Sequence, residues 1–180
     1  MQIEIIAGSP RKGSLNLRVA KHLYQKLQQN SAVNVGLIPM NEVHFPFIQK
    51  VWSSANDAPE ELRPIAERMF HAEGFIICSP EYNGGYSPAM KNLFDHFPKQ
   101  LRKPFGIVTS SDGIMGGMRA SQQLLQLVPA LFGIASPKML IVPEVNKKFG
   151  EEGELLAPAF EKNVEDFLND YLWLAKKIIG

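Results

Sequence analysis

Cysteine is almost missing from this chain of 180 residues, which holds one, Cys78. A lone thiol can neither close an intramolecular disulfide nor assemble a cysteine-based zinc site. At this length folding buries roughly 70% of the unfolded chain's surface, so no such staple is needed. A surplus of one charge is missing too: 19 Lys and Arg face 18 Asp and Glu, for a net charge of +1. Duplex nucleic acid is gripped mainly by neutralising its phosphates, so this balance argues against a nucleic-acid partner. No apolar run approaches the roughly 20 residues that cross a bilayer, and no membrane insertion is expected. The opening MQIEIIAGSPRKGS has a short hydrophobic stretch with no basic region before it, unlike a signal peptide. Repeats and low-complexity tracts are absent. With 45% hydrophobic and 21% charged residues, the expectation is a soluble, cytoplasmic single domain over residues 1–180.

What is present alternates between two periods. Gln2 to Ala7 is a β-branched run stopped by Gly8-Ser9-Pro10. From Ser14 to Gln29 the residues Leu17, Ala20, Leu23, Tyr24 and Leu27 recur at helical spacing. Val33 to Ile38, Phe75 to Cys78, Phe105 to Thr109 and Lys138 to Val142 read as further strands. Asp57-Ala58-Pro59-Glu60 reads as an N-cap, early proline and capping-box acid for a helix to about Ala72, with Pro64 kinking it or delaying its start. Ser87-Pro88 caps a helix through Met90, Leu93, Phe94 and Phe97. Ala120 to Leu131 and Phe160 to Ala175 carry two more helical stripes. The apolar stretch from His44 to Trp52 is too hydrophobic for a free linker and is expected to fold back on the body.

Five strands, each followed by a helix, need crossover connections and so a parallel sheet covered on both faces. Such α/β sheets bind ligands beyond the carboxyl ends of their strands. Three loops fall there. Loop one, Gly8 to Asn16 (GSPRKGSLN), leads from a strand into a helix whose first N–H groups and dipole suit a phosphate. Ser9, Ser14 and Asn16 add short donors, and Arg11 a charge-assisted contact. Neither the GxxxxGK[ST] nor the GxGxxG pattern is present. Loop two, Ser79 to Pro88 (SPEYNGGYSP), has prolines at both ends and Asn83-Gly84-Gly85 between, so its backbone can approach a flat heterocycle with Tyr82 beside it. Loop three, Ser110 to Arg119, is glycine-rich and carries the apolar Ile114 and Met115. Arg119 reads best as a solvent-facing residue of a first helical turn.

Together these residues resemble the NADPH-dependent FMN reductase family. GSPRKGSLN is similar to its GSxRxxSxN phosphate loop, and PEYNGGYSPAMKN (Pro80 to Asn92) to its PEYNxxxPxxLKN segment. The resemblance implies a flavodoxin-like three-layer sandwich, with a five-stranded parallel sheet in the order 2-1-3-4-5. It also implies that Ser9, Arg11, Ser14, Leu15 and Asn16 hold the FMN phosphate. Pro80, Glu81, Tyr82, Asn83 and Gly84 would line the isoalloxazine, with Ser110, Ser111 and Gly113 approaching from loop three. Gly85 stands where a serine is frequent and Ala89 where a glycine is, which alters details of loop two. The implied activity is NADPH- or NADH-driven reduction of FMN and then of a small-molecule electron acceptor: a quinone, azo compound, metal oxyanion or free flavin. The implied assembly is a homodimer or homotetramer, and the aromatic residues of 44–52 and of the helix from Ser87 suggest surface for it.

Two other classes were weighed. A flavodoxin-like electron carrier would share the flavin site, but such carriers are usually strongly acidic. A cysteine phosphatase needs an arginine six residues after Cys78, where Gly84 stands, and no GxSxG elbow is present. His22, His44, His71 and His96 are scattered without metal-ligand spacing, and Cys78 reads as a small buried hydrophobe.

Overall fold

Strand β1 (Gln2–Ala7) is buried from Ile3 onward in a computed structural model that describes residues 1–180. Around it run β2 (Asn34–Pro39), β3 (Gly74–Pro80) and β4 (Pro104–Ser110), all parallel, in the order β2-β1-β3-β4. Two short strands share the outer edge of β4. Strand β5 (Ile134–Ala135) pairs with Pro104–Phe105, and β6 (Leu140–Val142) with Val108–Ser110. The single fifth strand expected over Lys138 to Val142 is therefore two pieces, the first starting earlier. Pro137 separates them; it has no N–H to give the ladder, and Ser136 N makes the last bond of the first piece, to Phe105 O at 2.7 Å. Six strands fill five positions, and the order 2-1-3-4-5 is that of flavodoxin-like sheets.

Successive residues of each strand serve opposite faces. Ile6, Phe75, Ile77, Phe105 and Ile107 join one core, packed by α2 (Arg63–His71), α3 (Pro88–Asp95) and α4 (Met118–Ala130). Ile3, Ile5, Ile76, Cys78 and Val108 join the other, beneath α1 (Leu15–Gln28) and α6 (Glu161–Ile179). A short α5 (Val145–Lys148) follows β6. Burial on both sides is why the central strands read as unbroken apolar runs. The exception is Glu4 on β1, fully buried and bonded at 2.5 Å to Arg68 of α2. Gly36 of β2 leaves space for this pair, since a Cβ there would lie 2.5 Å from the Arg68 guanidinium.

The helix expected from Asp57 begins later. Asp57 turns its carboxylate back to Ser53 N, Ser53 Oγ and Ser54 N. Asp57 itself ends one 3-10 turn (Ala55–Asp57), a second follows (Glu60–Leu62), and α2 starts at Arg63 with Pro64 in its first turn, where a missing N–H costs nothing. Ser87 caps α3 as expected, accepting from Ala89 N. The 44–52 stretch does fold back. Phe45 and Trp52 are buried against His96 and Phe97, and Asn92 of α3 bonds Pro46 O at 2.8 Å and Ile48 N at 3.3 Å. The rings that suggested extra surface, Phe45, Trp52, Phe94 and Phe97, are thus inside; of the stretch's large hydrophobic residues, Phe47 and Val51 stay exposed.

Candidate functional site

Loops one, two and three meet beyond the carboxyl ends of β1, β3 and β4. The parallel register there, Ala7 opposite Cys78 and Pro80 opposite Ser110, brings Ser9, Pro80 and Ser110 to one rim. A cleft of about 280 Å³ is lined by Ser9, Arg11, Ser14, Leu15 and Asn16 from loop one. Pro80, Glu81, Tyr82, Ser110 and Ser111 complete it. Asn83, Gly84 and Gly113 lie next door, in a depression of about 330 Å³ that shares Glu81 and Ser111 with the cleft. Every candidate residue thus falls in one connected trough. The sequence reading passed over Lys12 and Asp112, which also line the cleft; the signal available for Lys12 was its place beside Arg11.

Two helix N-termini point at this trough, and they differ. At α1, Ser14 caps the helix by accepting from Leu17 N. The N–H groups of Lys12, Gly13, Ser14, Leu15 and Asn16 donate to nothing within the chain. At α4 the N-cap is Gly117, which has no side chain to offer. Glu81 takes the role from loop two, 38 residues back, accepting from Arg119 N at 3.0 Å and Ala120 N at 3.3 Å. Its other oxygen meets the exposed Arg119 guanidinium at 3.4 Å. An anion has free donors and an unneutralised helix dipole at α1, whereas a carboxylate already fills α4.

Asn16 is the other feature that asks for a ligand. It is 2% exposed, its amide nitrogen donates to Ser110 Oγ at 3.2 Å, and its Oδ1 is buried with no partner. A buried acceptor left unpaired is costly. A ligand hydroxyl next to the phosphate site would satisfy it. Ser9 Oγ and Tyr82 Oη lie 3.2 Å apart, and the Arg11 guanidinium sits 4.5 Å from the centre of the Tyr82 ring. Arg11 therefore links the α1 end of the trough to the loop-two end.

Loop two is shaped by its own backbone. Tyr82 N donates to Gly85 O at 2.8 Å and Gly85 N to Tyr82 O at 3.0 Å, with Asn83 at φ 51° and Gly84 at φ 82°. Two consecutive left-handed residues make a type I′ turn, the geometry Asn-Gly favours. Ser79 Oγ ties the loop's ends together, accepting from Ser87 N at 2.9 Å and donating to Pro80 O at 2.9 Å. Glu81 lines the trough, and its side chain also holds loop two to α4.

No His, Cys, Asp or Glu cluster of metal-binding size exists. His22 and His96 are buried on backbone carbonyls, while His44 and His71 are exposed. Burial drives the Cys78 thiol far up from its ordinary value, so it stays protonated and unreactive. Burial also raises the Tyr86 phenol, helped by Asp95. The trough therefore offers hydrogen-bonding groups and the charge of a helix N-terminus. Its donor set suits a phosphate on α1, a hydroxylated chain past Asn16, and a flat ring between loops two and three. That is the outline of a flavin mononucleotide.

A family model for NADPH-dependent FMN reductase matches residues 1–147. An NADPH azoreductase of Bacillus sp. (strain OY1-2) is 24% identical over 99% of this chain and 96% of its own length. A quinone reductase of Escherichia coli (strain K12) is 29% identical over 87% of this chain and 85% of its own. Among solved structures, the flavoenzyme NAD(P)H:(acceptor) oxidoreductase FerB of Paracoccus denitrificans superposes with a TM-score of 0.77. It is 22% identical, covering 98% of both chains.

Proposed function

This chain belongs to the NADPH-dependent FMN reductase family, and from that premise we propose how its residues serve an FMN-dependent, NAD(P)H-driven reductase. FMN held in the trough would supply the redox chemistry, carrying two electrons from NAD(P)H to an acceptor. The protein's part is binding and orientation. The free N–H groups opening α1, with Ser9, Ser14 and Arg11, take the phosphate. Charge-assisted hydrogen bonds contribute on the order of 1.5–3 kcal/mol each, and the helix terminus about 0.3–1 kcal/mol. Leu15 closes the same turn. Asn16 Oδ1 accepts from the ribityl chain. Backbone groups of Pro80 to Gly84, Ser110, Ser111 and Gly113 border the ring. Glu81 fixes the spacing between the two walls.

The acceptor in this reading is a quinone or azo compound, with metal oxyanions and free flavin as further candidates. An electron-carrier role is the weaker alternative, because a net charge of +1 gives little field for steering onto a redox partner. We assign the protein to the cytoplasm, consistent with its single, buried, reduced cysteine; no helix is long and apolar enough to cross a membrane. We also assign it a homodimeric or homotetrameric state. Exposed Leu101, Phe132 and Ile134 lie side by side at the β5 edge, joined through Arg102 N to Phe132 O and Ile134 N to Lys103 O. Light scattering at micromolar concentration is expected to give a multiple of the 20.1 kDa chain mass.

The observation that carries the function is the contrast between the open N-terminus of α1 and the filled one of α4. Its test is to titrate FMN into the protein and add NADPH without oxygen. The flavin's visible band is expected to bleach and to return on adding a quinone. Absence of FMN binding by calorimetry, or a band unmoved by both NADPH and NADH, overturns the assignment.

A further inference from the structure

A second cleft, of about 580 Å³, opens beside the trough between the segment after β2 and the start of α3. It is continuous with the candidate site: Pro10 precedes Arg11, and Pro88 lines both this cleft and the depression holding Arg11 and Tyr82. Val43, Phe45 and Phe47 are among the residues that line it, Phe47 with 87% of its surface exposed. The segment is held in place, because the Asn92 side chain bonds the backbone at Phe45, Pro46 and Ile48.

The charge of the cleft selects among ligands. Its lining has no Lys or Arg, and Glu42 is its one carboxylate. A pyridine nucleotide carries phosphates that need cations or free helix N-termini; the lining offers no cation, the α3 N-terminus that borders it is already capped by Ser87, and Glu42 is a carboxylate. An uncharged aromatic group meets Phe47, Phe45 and prolines. Asn41, also in the lining, has a buried Oδ1 without a partner, which an N–H or O–H on such a group can satisfy.

We propose that this cleft seats the aryl arm of a bulky aromatic electron acceptor, with Phe47 as the residue that sets preference for large over small acceptors. The proposal rests on the reductase reading and adds to it a place and a substrate class.

The test has a binding arm and a kinetic arm. Trp52 stacks behind Phe45, with ring centroids 5.9 Å apart, while the only other tryptophan, Trp173, is on α6 on the opposite face of the sheet. In a Trp173→Phe background without FMN, the uncharged azo dye 4-(dimethylamino)azobenzene is expected to quench Trp52 fluorescence saturably. Phe47→Ala is expected to weaken that binding about tenfold, the worth of the lost ring contact. In the FMN-loaded enzyme the same variant is expected to raise KM for this dye about tenfold. KM for 1,4-benzoquinone and for NADPH stays within about twofold, and Glu42→Lys leaves the NADPH value equally unchanged. Unquenched Trp52, or equal dye constants for wild type and Phe47→Ala, overturns the proposal. So does a lowered NADPH KM in Glu42→Lys, which would assign the cleft to the nucleotide. A Phe47→Ala variant that changes native mass in place of dye binding would assign it to a second copy of the chain. Failure of FMN to bind or bleach defeats the reductase reading itself, and the dye-quenching arm still reads out without flavin.

Discussion

Glu81 offers the sharpest test of the site's construction. If it works as a cap supplied by another loop, Glu81→Ala strips the acceptor from two N–H groups of α4 and removes a negative charge from the helix N-terminus. Losing a side-chain cap costs about 1 kcal/mol, and losing the charge–dipole attraction about 0.3–1 kcal/mol. The Arg119 pair adds only a few tenths, about 0.3 kcal/mol, because the arginine side chain is 71% exposed and its contact is 3.4 Å long. The total is about 2 kcal/mol, which for a chain of this size lowers Tm by roughly 4–8 °C. Glu81→Gln keeps one oxygen acceptor and loses the charge, so it is expected to lower Tm by roughly 1–3 °C. Arg119→Ala keeps both backbone bonds and is expected to change Tm by less than about 2 °C. Differential scanning calorimetry on the flavin-free protein reads all three. Equal losses for Glu81→Ala and Arg119→Ala would mean that the exposed ion pair, not the cap, holds loop two to α4, and the reasoning would be wrong.

Three further outcomes follow from the structure. Asn16→Ala removes the partnerless buried acceptor and its bond to Ser110; FMN affinity by calorimetry is expected to fall at least about tenfold, and an unchanged value would refute Asn16 as a ligand contact. Burial holds the His22 imidazole below its ordinary 6.5, partly offset by its bond to Gly153 O. The neutral form is thus favoured in the fold and the unfolded chain takes the proton first, so this stability is full above about pH 6.5 and is lost as pH falls through 6.5 toward the lowered folded value. The Tm gap between wild type and His22→Gln is therefore expected to narrow between pH 7.5 and 5.5, and a gap constant with pH would contradict it. Gly36→Ala pushes a methyl into the buried Glu4–Arg68 pair and is expected to cost about 2–3 kcal/mol in urea unfolding, while a midpoint like that of wild type would show that the pair can move aside.

The elements that were legible in the sequence are those whose cause is local. Ser14 and Ser87 announced helix starts because a cap acts within three residues. Asn83-Gly84 announced a tight turn because its positive φ angles belong to the residues themselves. The unbroken apolar strands announced a sheet covered on both faces, and so placed loops one, two and three at a shared rim. What the sequence could not determine depends on partners far along the chain. Asp57 reads as a forward cap, yet its carboxylate is claimed by Ser53 and Ser54. The edge strand reads as one run, yet β4 pairs with two pieces flanking Pro137. Glu81 reads as part of a ring-binding motif, yet Gly117 leaves α4 without a cap and only the meeting of two loops makes the carboxylate its substitute. The same holds for Phe47, whose exposure is set by Asn92 pinning the backbone on either side of it. Side-chain chemistry and short-range backbone preference are written residue by residue; which helix end stays open to a ligand is decided by what the folded chain brings to it.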